Sequence, residues 1–112
     1  MNDLNELRDE IYDDAVSHGL WNETEALRVW AYCGKRTKYA IDRVRREDCA
    51  MRIRDEVEEL YDEACDANNY TEELADVIIM ALSVAGYLGI DIDKAVQAKM
   101  EINRGREWRH GK

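Results

Sequence analysis

Between Leu74 and Ile90 the chain carries a single charged side chain, Asp76, in a run that otherwise reads Val-Ile-Ile-Met-Ala-Leu-Ser-Val-Ala-Gly-Tyr-Leu-Gly. A run of that length is a helix rather than a strand, since buried strands span about 4–8 residues. It falls short of the roughly 20 apolar residues that a membrane helix needs, and Asp76, Ser83 and two glycines interrupt it, so a protein core suits it better. Burying an unpaired carboxylate costs roughly several kcal/mol, so Asp76 demands a partner. Proline and phenylalanine are absent while Ala, Glu, Leu and Arg abound, which favours helix throughout. The expectation is one all-α domain over residues 1–112, a bundle of four to five helices. A chain this short buries a modest core, so a second copy is expected to complete it.

Caps and periodicity mark the helices. Asp3 to Ser17 places Leu4, Leu7, Ile11 and Ala15 on one face and ends at Gly19. Asn22 followed by Glu25 reads as the cap of a second helix that breaks near Cys33-Gly34. Residues 35–50 hold few apolar positions and many arginines, so a helix there is exposed or rests on a partner. A firmer helix is predicted from about Cys49 to Ala67, then a turn through Tyr70, and a helix capped by Thr71 and stopped by Gly89. Asp91 caps a last helix to about Asn103, and Gly105 releases a basic tail.

The acidic residues of this predicted hairpin are paired. Glu56 and Glu59 lie three apart, as do Glu73 and Asp76. Like charges at that spacing share a helix face and destabilise it by a few tenths of a kcal/mol, roughly, unless a cation reverses the sign. If the two helices run antiparallel, the four carboxylates converge into a set of hard oxygen donors that selects Mg2+, with Mn2+ as substitute. Iron carboxylate bundles use Glu-x-x-His, and neither His18 nor His110 has that spacing. The competing reading of Glu56, Glu58 and Glu59 is a solvated stripe, and of Glu73 a first-turn residue that complements the helix dipole.

The net charge of −9 is unevenly spread, with basic residues concentrated in segments 35–54 and 94–112. An acidic centre flanked by basic arms suits phosphate oxygens, while the overall acidity argues against a nucleic-acid binder. Cys33, Cys49 and Cys65 show no Cys-x-x-Cys and no neighbouring histidine, so reduced thiols in a cytoplasmic protein are expected, and the first residues lack the pattern of a secretory signal.

Glu56-x-x-Glu59, then Glu73-x-x-Asp76, then Lys99-Met100-x-x-Asn103-Arg104-x-Arg106, resembles the MazG-like all-α nucleoside triphosphate pyrophosphohydrolases. His18-Gly19-Leu20-Trp21 and the ending Arg109-His110-Gly111-Lys112 are similar to a bacterial and phage branch. The resemblance covers Asp3 to Trp21 and Arg54 to Lys112. It implies hydrolysis of (d)NTP to (d)NMP and pyrophosphate in nucleotide-pool house-cleaning, with Mg2+ on Glu56, Glu59, Glu73 and Asp76, in homodimers or homotetramers. Glu56 and Glu59 are the expected catalytic pair, with Glu59 or Glu63 as the base for the attacking water. Lys99, Asn103, Arg104 and Arg106 are expected on the phosphates, and Trp21 on the base unless it is core. The alternatives are a phosphoribosyl-ATP-type pyrophosphohydrolase and a non-catalytic helical dimer.

Overall fold

The computed structural model describes residues 3–34 and 37–106, with the side chains of residues 31–32 left out. Lys35 and Arg36, at the start of the basic middle segment, and the tail from Glu107 to Lys112 lie outside the described residues. Five helices follow one another: α1 (Leu4–Ser17), α2 (Asn22–Cys33), α3 (Lys38–Asp62), α4 (Ala67–Leu88) and α5 (Ile92–Arg104). Among the described residues there is no strand. The all-α expectation holds.

Short polar side chains set the helix starts. Asp3 accepts from the Glu6 amide at 2.8 Å, Thr37 from the Ala40 amide at 3.2 Å, and Asp91 from the Lys94 amide at 3.0 Å. Gly89, at φ +68°, ends α4 in the left-handed conformation that only a residue without Cβ takes freely.

Two boundaries differ from the sequence reading. The arginine-rich middle segment and the acidic helix form one continuous α3, because Cys49 is buried against the neighbouring helices and no helix breaker stands between the two parts. Helix α4 begins at Ala67, since Asp66 accepts from both the Asn68 and Asn69 amides, while the Thr71 hydroxyl donates back to the Ala67 carbonyl from inside the helix. A carboxylate at that position outcompetes a threonine one turn later as a cap.

Helix α4 packs on both α3 and α1, and α2 packs on α3. The core gathers Trp21, Cys49, Val84 and Tyr87, with Tyr12, Ala15, Leu20, Ile53 and Leu88 against it. Burial lifts the Cys49 thiol to about 11, so it behaves as a small apolar side chain. All three cysteines are unbridged. Trp21 and Tyr87 stack with ring centroids 4.4 Å apart and planes 5° from parallel. Arg45 lies 4.8 Å over the Tyr87 ring and Arg52 5.1 Å over the Trp21 ring. Thr24, fully buried, donates to Asp48 and accepts from Arg52 Nε, so two polar contacts tie the inner faces of α2 and α3.

Only the C-terminal half of α4 is buried, through Leu82, Ser83, Val84, Ala85 and Tyr87. Leu74, Ile78 and Ile79 are exposed, and so is Asp76. The expectation of a wholly buried helix is corrected here, because the N-terminal half of α4 extends past the core with α3 as its neighbour. No single described helix is long and apolar enough to cross a membrane.

Helix α5 turns 116° away from α4 and packs on α1. The Asn5 side chain joins them, with Nδ2 donating to Asp91 at 2.8 Å and Oδ1 accepting from the Ile92 amide at 2.9 Å. Arg8 donates to the Ile90 carbonyl at 2.6 Å.

Helices α1 and α4 touch at Gly86, where a Cβ would stand 2.6 Å from Tyr12 Cβ. Neither atom belongs to the movable end of a side chain, so the helices themselves must separate to admit a methyl group. Gly86→Ala is therefore expected to destabilise the fold by about 1–3 kcal/mol, read as a lowered thermal midpoint, despite the higher helix propensity of alanine.

Candidate metal centre

The α3/α4 hairpin is antiparallel because only the residues from Glu63 to Asp66 join the two helices. Residues three apart lie on one face of a helix, so Glu56 and Glu59 on α3 look across at Glu73 on α4. Carboxylate oxygens of these three glutamates lie within 4.8 Å of one another. Three negative charges at that range are unfavourable without a counter-charge.

The protonation equilibria register the strain. The Glu56 carboxyl is raised above its ordinary value of 4.5, first by desolvation and then by the charges of Glu59, Asp76 and Glu73. Glu73 is raised likewise, by desolvation and then by Asp76, Glu59 and Glu63. Glu73 Oε2 is buried and has no hydrogen-bond partner. A buried carboxylate oxygen with other carboxylates around it is short of a cation, and the donor set of hard oxygens suits Mg2+ or Mn2+.

Of the predicted quartet, the structure brings Glu56, Glu59 and Glu73 together. Asp76 stands beside them, exposed, with its charge felt at both Glu56 and Glu73. Glu63, the C-cap of α3, adds its charge at Glu73, and its Oε2 accepts from Asn69 Nδ2 at 3.2 Å.

Other candidates sit elsewhere. Trp21 is 3% exposed, donates from Nε1 to Ser83 Oγ at 3.1 Å and stacks on Tyr87, so it belongs to the core. Lys99, Asn103 and Arg104 ride on α5, with Arg106 just beyond, and α5 starts at the end of α4 opposite the glutamates. Asp76 and Leu88 are twelve positions apart on α4, about 18 Å at 1.5 Å per residue. Arg104 is paired with Glu101 in the same helix. Among the described residues these four form no hydrogen bond or ion pair with the acidic cluster.

The comparison with characterised proteins falls on this same chemistry. The chain is similar to a phage nucleotide hydrolase. Over 36 residues it is 53% identical to the dATP/dGTP diphosphohydrolase of Cyanophage S-2L, a match covering 32% of this chain and 34% of that protein. The aligned part thus spans about a third of the relative's length. No family profile and no solved structure matches the chain. The distant relative and the helical bundle, without a strand among the described residues, are consistent with the MazG resemblance read from the motifs.

Raised carboxyls mean that the folded protein holds protons to higher pH than the unfolded chain. Their contribution to stability is present at low pH and is lost as pH rises through the folded values, which lie above 4.5. In metal-free buffer the melting temperature is expected to fall between about pH 5 and about pH 8 by less in Glu73→Gln than in the parent chain. Saturating Mg2+ is expected to remove most of that difference, as differential scanning fluorimetry would show.

Proposed function

We propose that the protein is a divalent-metal-dependent nucleoside triphosphate pyrophosphohydrolase that releases a monophosphate and pyrophosphate. The observation that supports this reading above all is the convergence of Glu56, Glu59 and Glu73 around an oxygen that lacks a partner, with Asp76 adding charge from beside them. A Mg2+ ion held by these residues would neutralise charge on the triphosphate and lower the pKa of a bound water. The name of the phage relative ties that protein to dATP and dGTP, so deoxypurine triphosphates are the first substrates to try.

The chain's own groups divide the remaining work. Glu73 and Glu56, both poorly solvated, orient their oxygens toward the shared site. Glu59 is exposed, with a carboxylate oxygen within 4.8 Å of both, which suits it to take a proton from the attacking water. Glu63 is the less available base because Asn69 already engages it.

A second copy belongs to the proposal. Val57 and Tyr61 on α3, Leu74 and Ile78 on α4, and Val96 and Met100 on α5 are all exposed. Apolar surface of that extent marks an interface, and a dimer or tetramer would cover it. Such an assembly also offers Lys99, Asn103, Arg104 and Arg106 a route to the phosphates.

Purified protein with Mg2+ is expected to convert deoxynucleoside triphosphates to monophosphate and pyrophosphate, resolved by ion-exchange chromatography. A diphosphate product, or activity that persists in excess chelator, would reject the proposal. Glu56→Gln, Glu73→Gln and Asp76→Asn are each expected to lower kcat by on the order of 10²-fold or more. Sedimentation velocity is expected to show a dimer or larger species, and a monomer at all concentrations would remove the assembly from the proposal.

A further inference from the structure

Helix α5 projects from the body of the chain. It buries no residue, and Val96, Met100 and Ile102 are exposed along it. Only Gly89, Ile90 and Asp91 join it to α4, and Gly89 stands there at φ +68°. The direction that α5 takes is therefore set largely by what grips its first turn.

That grip comes from α1. Asn5 and Arg8 lie three apart on one face of α1, and both reach the α4/α5 corner. Asn5 Oδ1 accepts from the Ile92 amide at 2.9 Å and from the Asp93 amide at 3.3 Å, while Nδ2 donates to Asp91 Oδ1 at 2.8 Å. Arg8 Nη1 donates to the Ile90 carbonyl at 2.6 Å and to Asn5 Oδ1 at 3.2 Å. Asp91 in turn accepts from the Lys94 amide. A helix leaves its first amides without internal partners, and here those of Ile92 and Asp93 are taken up by a side chain of another helix.

The joint needs one side chain that both accepts and donates. Asparagine carries a carbonyl oxygen and an NH2 group on the same short stem, whereas an ionised aspartate only accepts and would set a second carboxylate against Asp91. The Asn5 hydrogen bond, and then the Lys94 amide, hold the Asp91 carboxyl below its ordinary value.

Lys99, Asn103 and Arg106 recur at helical spacing, so their positions turn with α5. Ile92 and Arg104 are twelve positions apart, about 18 Å at 1.5 Å per residue, and a tilt of about 10° at the joint carries that end through about 3 Å. A shift of that size breaks a hydrogen bond.

We propose that Asn5 and Arg8 are positioning residues for the triphosphate: they fix the direction of α5 and so the place at which Lys99, Asn103, Arg104 and Arg106 meet the phosphates. The inference rests on the triphosphate hydrolysis proposed above and adds how the grip on that substrate is aligned. A loosened joint leaves α5 in the docked direction for only a fraction of the time. Apparent affinity falls by that fraction, while saturating substrate draws the helix back. KM therefore carries the effect and kcat does not.

The test measures kcat and KM for dATP with Mg2+ on the parent chain, on Asn5→Asp, on Arg8→Ala, and on Asn5→Asp combined with Asp91→Asn, with amide hydrogen exchange on each. Both single variants are expected to raise KM about tenfold, as when α5 is docked about a tenth of the time, and to leave kcat within about twofold. The Ile92 and Asp93 amides are expected to exchange faster, while those of Leu82 to Ala85 in the core keep their protection. The combined variant sets a donor opposite an acceptor again and is expected to bring KM back toward the parent value. A KM unchanged in either single variant, a loss of kcat at parental KM, or a combined variant as impaired as Asn5→Asp overturns the positioning role and leaves the hydrolysis standing. Absence of pyrophosphate from the parent chain overturns both.

Discussion

The stack of Trp21 on Tyr87 is the contact on which the rest of the molecule leans. Trp21 opens α2 and Tyr87 lies near the end of α4, so parallel rings 4.4 Å apart join segments far apart in sequence. Two arginines of α3, a residue type seldom fully buried, extend the stack over its rings and draw the third helix in. The indole N–H is satisfied by Ser83, and Arg52 is steadied by Thr24 and Asp48, so the polar parts of this core have partners. Removing the Ser83 hydroxyl would leave the buried indole N–H without its partner, which is more costly than the net worth of the bond.

With the core placed at that end, the other end of the α3/α4 hairpin stands clear of it. The glutamates occupy this outlying part, where α3 and α4 mainly have each other for company and apolar side chains such as Ile78 remain in water. A site built there has carboxylates from two helices held at short range by the hairpin turn and little else around them. Electrostatic repulsion among them opposes the packing that brings them together, and a bound cation would turn the same geometry from a cost into a gain.

Much of the fold could be read directly from residues. The caps at Asp3 and Asp91 and the stop at Gly89 act through local chemistry, and local chemistry is what a sequence displays. The start of α4 was misplaced because Asp66 and Thr71 are both good caps, and only the folded chain shows which one reaches two amides. The continuity of α3 was hidden by its arginines, two of which turn out to lie over aromatic rings contributed by other helices. At the candidate site, the i, i+3 spacing announced the acidic pairs, but the burial of Asp76 was inferred from its apolar neighbours, and those neighbours are themselves exposed. Trp21 could not be assigned from sequence, since a tryptophan after a helix stop serves equally well as core or as ligand platform.

Gly86 has a bearing on surface shape that its small volume conceals. By letting Tyr12 sit against the backbone of α4, it sets how closely the two helices approach beside the groove lined by Leu7, Ile11, Ile79 and Met80. A change of bulk at Gly86 or Tyr12 would therefore reshape that groove without altering any residue that lines it.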